Sequence, residues 1–497
     1  MNRKEFLKIG ASASLGGLGS VRAQSEVAAT DRPPNVLVLM SDQHRPDLLT
    51  CGGNDEVPTP GIDRIASRGV RFTRAYCPYP VCAPSRMSFL TGLHAHHHGI
   101  TINTRMLDWR RRTIAHAFRD HGHLTGLIGK MHFLDGNNHG FDFRLGFNDW
   151  LMYLGPKARH FANEIASYPG YAKTVMDTGS GFPDVAGLWK GVSPWVGNVT
   201  PKLGITSDLS SEDQFDAFVA RESSRFIRRY RDQPFFLVAG FLKPHAPFFA
   251  PKEYAEMYKP ERMQLPPVGD IAKYPEHVRK AITQYQGMGE ERLRTIRAGY
   301  LANLRFVDTC IGEVYKTLED EKLIDNTIVI YTSDHGEMGG DHGLFQKFVF
   351  FEPSVSVPLI VSYPKTIPAG KVSNALVEFI GLYPTLAEMG GLKKPEGLDA
   401  ASFARYAKDP DARGPDAAFA EYALSWAPRY MIRTDRYKYN YNEDDTAELY
   451  DLEADPRENL NRAGETSMRQ TQQRLHDQLF ALYNPERNPF RRQREAR

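Results

Sequence analysis

The sequence predicts an α/β protein: a large, mostly parallel sheet flanked by helices, followed by a smaller C-terminal antiparallel sheet with a helix. Three observations carry this reading. Four apolar runs are continuous rather than alternating, as strands buried on both faces are. Segments with apolar residues at spacings of three and four lie between them. Each run then ends in a cluster of Asp, Gln, His or Lys, at the end of the strand where open α/β sheets bind their ligands.

In order, the runs are Asn35–Met40, Leu124–Ile128, Pro234–Gly240 and Thr327–Tyr331. Leu301, Leu304, Val307, Ile311, Val314 and Leu318 mark one face of a helix, and Asp325–Asn326 turns the chain into the fourth run. From Glu396 the pattern changes to short strands at Tyr430–Arg433, Tyr437–Asn440 and Glu448–Asp451, with a helix over Met468–Leu482. The expected organisation is a large α/β domain over 34–395 and a smaller α+β domain over 396–497. Regular patterning fails between Phe143 and Asp213, a segment carrying Trp150, Trp189, Trp195, Tyr153, Phe161, Tyr168 and Tyr171. It is too aromatic for disorder. Its rings suit either stacking on sugars or packing beneath a long loop.

Of the 497 residues 41% are hydrophobic and 25% charged, a composition that argues against disorder, collagen and coiled coil. The formal charge of +2 indicates neither a nucleic acid nor a membrane surface as partner. Four cysteines are too few for a disulfide scaffold, and no run of about 18 apolar residues could span a bilayer. Met1–Ala23 reads as an export signal: Arg3, Lys4 and Lys8 precede a mild apolar stretch, and Val21-Arg22-Ala23 offers a cleavage site. Arg3–Lys8 resembles a twin-arginine signal with Lys in second place, which leaves the Sec route open; either places the protein in the periplasm or outside the cell. Removing the leader takes away four basic residues and Glu5, leaving a net charge of about −1. Arg487–Arg497 reads as a solvated tail.

The clusters after the four runs are Ser41-Asp42-Gln43-His44, Gly129-Lys130-Met131-His132, Lys243-Pro244-His245 and Ser333-Asp334-His335-Gly336. A parallel sheet brings them to one edge however far apart they are in sequence. Alone, each Asp would be a turn or cap residue, and Cys82 a buried thiol at a helix start. Yet Cys82-Ala83-Pro84-Ser85-Arg86, with Thr91-Gly92 downstream, resembles the signature of the formylglycine-dependent sulfatases, which have an alkaline-phosphatase-like fold. The likeness runs from Asn35 to Leu392 and continues in Leu449–Leu452, Asp455-Pro456 and Glu458-Asn459.

The resemblance implies that a formylglycine-generating enzyme oxidises Cys82 to an aldehyde. Its hydrate carries two hydroxyls, one to attack sulfur and one to expel sulfate, so no second hydrolysis is needed. It further implies His132 as the base or its helper, Arg86 and Lys130 as holders of the formylglycine, Lys130 and Lys347 on the sulfate, and His245 as proton donor to the leaving group. Asp42, Gln43, Asp334 and His335 match the metal ligands, joined by modified Cys82. Many relatives have Asp where this chain has Gln43 and Asn where it has His335. Ca²⁺ is the expected cation, with Mg²⁺ or Mn²⁺ as alternatives. Asp341-His342 is read as a loop positioner. His94, His96, His97 and His98 invite a metal reading, but the family binds none there. Cys51, Cys77 and Cys310 are expected to leave Cys82 unbridged.

The expected activity is hydrolysis of a sulfate ester on a carbohydrate or an aryl group. Two rivals stay open: hydrolysis of phosphonate monoesters or phosphodiesters with the same nucleophile, and non-catalytic binding of sulfated glycan should Cys82 remain a thiol.

Overall fold

The computed structural model describes residues 32–166, 204–393, 396–423, 428–443 and 445–483. The export signal, Trp189, Trp195, Tyr168, Tyr171 and the Arg-rich tail lie outside them.

The four apolar runs form the centre of an eight-stranded sheet. Its strands are β1 (Asn35–Asp42), β2 (Val70–Tyr76), β3 (Leu124–Gly129), β4 (Phe143–Leu145), β5 (Phe235–Pro244), β6 (Thr327–Ser333), β7 (Leu359–Ser362) and β8 (Lys371–Glu378), in the order β4-β3-β5-β1-β6-β7-β2-β8. All neighbours run parallel except β7, which is antiparallel to both β6 and β2. Alternate residues of β1 enter opposite cores: Leu37 and Leu39 pack with Leu301, Leu304 and Val307, while Val36, Val38 and Met40 pack with Phe89 and Leu90. Burial on both faces explains why these runs do not alternate in hydrophobicity. The four further strands of this sheet went unmarked in the sequence because they are short or carry polar residues on an exposed side, as Lys371–Glu378 does.

The helix marked by Leu301–Leu318 extends over Glu290–Asp320, and a second long helix, Phe215–Arg229, packs beside it. On the other face, Cys82–Thr91 is a helix in which all ten residues are buried, closed by Gly92 in the left-handed conformation (φ 67°). The C-terminal part adds an antiparallel sheet, β9 (Ala417–Tyr422), β10 (Arg429–Thr434), β11 (Tyr437–Asn442) and β12 (Glu448–Asp451), with the helix Arg469–Leu482 against it. Leu475 and Leu479 of that helix bury against Tyr430, Ile432 and Tyr439.

One expectation is corrected. The segment after Phe143 is not irregular at its start: Phe147–Leu154 and Ala158–Ala166 are helices. Trp150 is a core residue packed among Phe147, Phe161 and Phe215, its indole N–H donating to the carbonyl of Asp213 at 2.8 Å. It cannot be a sugar platform, because its ring is only 1% exposed.

Candidate active site

Register places the chemistry. Met40 pairs with Gly240 on one side and Thr332 on the other, and Gly240 also pairs with Gly129. The four polar clusters therefore leave the sheet side by side. Gly240 is required here: a Cβ on it would meet the carbonyl oxygen of Lys130 at 2.3 Å, and that close approach lets the Lys130 N–H donate to the Gly240 carbonyl at 2.8 Å. The buried Cys82 helix points its first residue at the same edge.

The residues expected to carry the reaction and the metal, Asp42, Gln43, Cys82, Arg86, Lys130, His132, His245, Asp334, His335 and Lys347, lie at this edge, and all are buried. Cys82 Sγ lies 3.1 Å from His335 Nε2, 3.7 Å from Asp42 Oδ1 and 4.0 Å from Lys130 Nζ. The Arg86 guanidinium donates to Asp334 Oδ2 at 2.7 Å, Asp42 Oδ2 at 2.9 Å and the Lys130 carbonyl at 2.5 Å. Lys130 Nζ reaches Asp42 Oδ2 at 2.7 Å. His245 Nε2 is 4.0 Å from Asp42 Oδ1, and Lys347 Nζ donates to Gln43 Oε1 at 2.5 Å. Ser85 spends its hydroxyl on the Asp334 carbonyl at 2.6 Å, a structural use.

Each carboxylate thus turns Oδ2 toward cations and Oδ1 inward. The inward Oδ1 atoms of Asp42 and Asp334 lie 3.8 and 3.7 Å from His335 Nε2. The ligand atoms of Asp42, Cys82, Asp334 and His335 lie within 4.8 Å of one another. Oxygen ligands at about 2.4 Å from a Ca²⁺ ion sit roughly 3–5 Å apart, so the spacing fits a divalent cation. His335 is oriented for it: Nδ1 faces the Gly336 carbonyl at 2.9 Å, which leaves the Nε2 lone pair free to coordinate.

Electrostatics follow from burial. Removal from water alone would raise the Asp42 carboxyl, but the charges of Lys130, His245, Arg86 and His335 outweigh it and hold the group well below the usual range. The Cys82 thiol is pushed up to about 12, by burial first and the Asp42 charge second. Burial and the charges of Lys130 and Arg86 drive His132 well below the usual imidazole value, and burial with Lys347 and Lys130 does the same to His245. Both ring nitrogens of His132 lack a hydrogen-bond partner although buried, as befits a side chain that acts on something else. The carboxylates of Asp42, Asp334 and Glu337 are matched by the side chains of Arg86, Lys130 and Lys347, of which the two lysines can donate to an anionic group.

Sequence reasoning missed two buried residues. Glu337 accepts from the side-chain amide of Gln43, and Tyr300 donates its hydroxyl to the Gln43 carbonyl at 2.8 Å. Glu337 stands three residues after Asp334 and was readable as one more acidic loop residue. Tyr300 sits mid-helix, where nothing in the pattern distinguishes it.

The other candidates have structural partners. His96 pairs with Glu421 at 3.0 Å, His97 with Asp399 at 2.8 Å and His94 with Tyr483, so these three tie the Cys82 helix region to the C-terminal part, while His98 bonds Ser88 within that helix region. Asp341 pairs with Arg45 at 2.7 Å, and His342 Nδ1 meets Tyr274 Oη at 2.7 Å. All four cysteines are free. Two surface cavities of about 1010 and 950 Å³ have none of the clustered residues in their walls, so chemistry rather than cavity size marks the site. No helix among the described residues is long and apolar enough to cross a membrane.

The profile of the sulfatase family matches residues 34–392, and that of the N-sulphoglucosamine sulphohydrolase C-terminal region matches 340–484. An arylsulfatase of Clostridium perfringens is 30% identical over 439 residues, 86% of this chain and 90% of its own. A choline-sulfatase of Rhizobium meliloti is 30% identical over 452 residues, 87% of this chain and 83% of its own. Among solved structures, a phosphonate monoester hydrolase of Agrobacterium radiobacter superposes with a TM-score of 0.74 at 25% identity, covering 91% of this chain and 96% of that one.

Proposed function

The chain belongs to the sulfatase family of sulfuric ester hydrolases, and from that premise we propose that it cleaves a sulfate ester of a carbohydrate or aryl alcohol, using formylglycine made from Cys82 and a divalent cation, Ca²⁺ by preference. The observation that carries the reading is the position of Cys82: first residue of a buried helix, its Sγ 3.1 Å from His335 Nε2 and 3.7 Å from Asp42 Oδ1. A thiol held at about 12 supplies no thiolate at neutral pH, so an unconverted Cys82 is a poor nucleophile in this place.

Formylglycine at 82 would supply two hydroxyls on one carbon, and Asp42, Gln43, Asp334 and His335 would hold a cation that polarises the sulfuryl oxygens. The rest is the work of the chain. Lys130 and Lys347 present ammonium groups to the sulfate oxygens, and Arg86 braces Asp42 against Asp334. His132 is assigned the proton from the group at 82, a role supported by two buried ring nitrogens that have no hydrogen-bond partner. His245 has Nδ1 against the Ala246 carbonyl at 2.6 Å, so Nε2 is the atom turned toward the site, where a bound substrate anion favours the protonated ring that a departing alkoxide needs. Export through Met1–Ala23 belongs to this reading and is tested by sequencing the N-terminus of the mature protein.

A second reading rests on the Asp42-Gln43 and Asp334-His335 pairs together with the likeness to the phosphonate monoester hydrolase. Mass spectrometry of the peptide containing Cys82, with rates for an aryl sulfate, a sulfated sugar and a phosphonate monoester, separates the readings. A preference for the phosphonate overturns ours; a retained thiol with full binding of sulfated polymer favours a binding protein.

A further inference from the structure

Gln43 is the one expected metal ligand whose side chain has two unlike ends. Its Oε1 can coordinate a cation; its Nε2 cannot. Something must decide which end faces the site. Three of its four polar atoms have obvious fixings: the backbone N–H donates to Asp334 Oδ1 at 3.2 Å, the carbonyl accepts from Tyr300, and Oε1 accepts from Lys347 Nζ at 2.5 Å. The fourth, Nε2, donates to Glu337 Oε2.

The geometry points to Glu337 as a positioning residue that sets the orientation of the Gln43 amide and so presents its oxygen to the cation; this rests on the metal centre proposed above. Glu337 is buried and its two oxygens have separate tasks. Oε1 accepts from the Gly339 N–H at 2.9 Å and the Gln346 N–H at 2.5 Å, which fixes the carboxylate in the loop. Oε2 is left as the acceptor that Nε2 of Gln43 seeks. Flipping the amide would set Oε1 against a carboxylate oxygen and Nε2 against the Lys347 ammonium, two repulsive contacts in place of two charge-assisted bonds. The pair therefore encodes polarity without touching the substrate.

Exchanging amide and carboxylate tests this. In Glu337→Gln the new side chain keeps an oxygen for Gly339 and Gln346, so the loop retains its anchor, but its NH₂ now faces the NH₂ of Gln43. Gln43 relieves the clash by flipping, which turns nitrogen toward the cation. We expect calorimetric titration of the metal-stripped protein with Ca²⁺ to show affinity about 10-fold weaker or more, in the range typical for lost outer partners of a ligand. Gln43→Glu alone should also weaken binding, by facing two carboxylates. The double exchange, Gln43→Glu with Glu337→Gln, restores a donor–acceptor pair of reversed polarity and is expected to recover most of the affinity. Unchanged Ca²⁺ affinity in Glu337→Gln, or no recovery in the exchange, overturns the assignment.

A readout in the unmutated, metal-free protein covers the case in which a variant fails to fold. With ¹⁵N-labelled glutamine, the Gln43 side-chain amide should appear as a slowly exchanging pair with one strongly downfield proton; an ordinary solvent-exchanging amide overturns the proposal. Absence of cation binding by the unmutated protein would count against the metal centre instead, and the amide signal would still judge Glu337.

Discussion

Arg86 Nε and Asp334 Oδ2 meet at 2.7 Å with both side chains wholly out of water. The same guanidinium holds Asp42, so one cation neutralises two carboxylates that would otherwise repel each other beneath Cys82. Removing one member of a buried pair leaves an uncompensated charge and costs about 3–5 kcal/mol. Arg86→Ala is expected to lose that much stability in urea without added metal and to regain part of it in excess Ca²⁺. Unfolding at the parent's urea midpoint in metal-free buffer would show that the pair contributes nothing.

Cys82 offers a chemical test of its own burial. A thiol raised to about 12 is un-ionised at pH 8, so unconverted protein should resist iodoacetamide in the native state and react once unfolded. Converted protein should instead react with a hydrazide probe. Cys82→Ala should lower kcat by about 10³-fold or more, since losing a nucleophile generally costs at least that. Rapid native alkylation would show that the pocket stabilises thiolate and would undercut the need for conversion.

Asp334 supplies an inward oxygen 3.7 Å from His335 Nε2, a separation suited to a shared cation rather than to a direct bond. A ligand present at about 100 times its Kd stabilises the folded state by about 2.7 kcal/mol. Ca²⁺ should therefore raise the Tm of chelator-treated protein by several degrees, and Asp334→Asn should abolish most of that rise. Equal Tm values with and without Ca²⁺, Mg²⁺ and Mn²⁺ would remove the cation from the proposal.

How far the site could be read from the chain depends on which residues announce their task locally. Asp42, Lys130, His245 and Asp334 each follow a continuous apolar run, and burial on both faces makes such runs conspicuous, so the convergence at the sheet edge was legible. Glu337 and Tyr300 were not, because their task is defined by Gln43, which lies 294 and 257 positions away from them. β2 and β8 were hidden by polar residues on their exposed sides, such as Arg71, Thr73 and Lys371. Trp150 stayed open between two roles for a physical reason: an indole serves equally as sugar platform and core filler, and neighbours 63 to 65 positions on, Asp213 and Phe215, help decide between them.

The Trp150 assignment has its own test. As a core residue ringed by Phe147, Phe161 and Phe215, it should cost about 3–5 kcal/mol on replacement by Ala. The KM for any turned-over sulfate ester should stay within about twofold, since ordinary core truncations act on stability rather than on distant contacts. A large rise in KM with stability intact would return Trp150 to the substrate.

Glu378 should confer a pH dependence with a definite sign. Its Oε1 accepts the Phe419 N–H at 2.8 Å where β8 meets β9. Burial, with Asp399 adding to it, raises the carboxyl from 4.5 in the unfolded chain to about 7, despite the opposing Phe419 bond. The folded state thus holds the proton more firmly, so this stabilisation is full below about 4.5 and is lost as pH rises through 7. Glu378→Gln keeps the acceptor and removes the titration. One pKa unit corresponds to about 1.4 kcal/mol; partial exposure of the side chain discounts it, leaving an effect on the order of 1 kcal/mol. The variant should therefore match the parent in Tm near pH 4.5 and exceed it at pH 8, measured in buffers of equal ionic strength. A Tm difference that does not change between those two pH values would show that Glu378 titrates normally and that its contact with β9 is open to water.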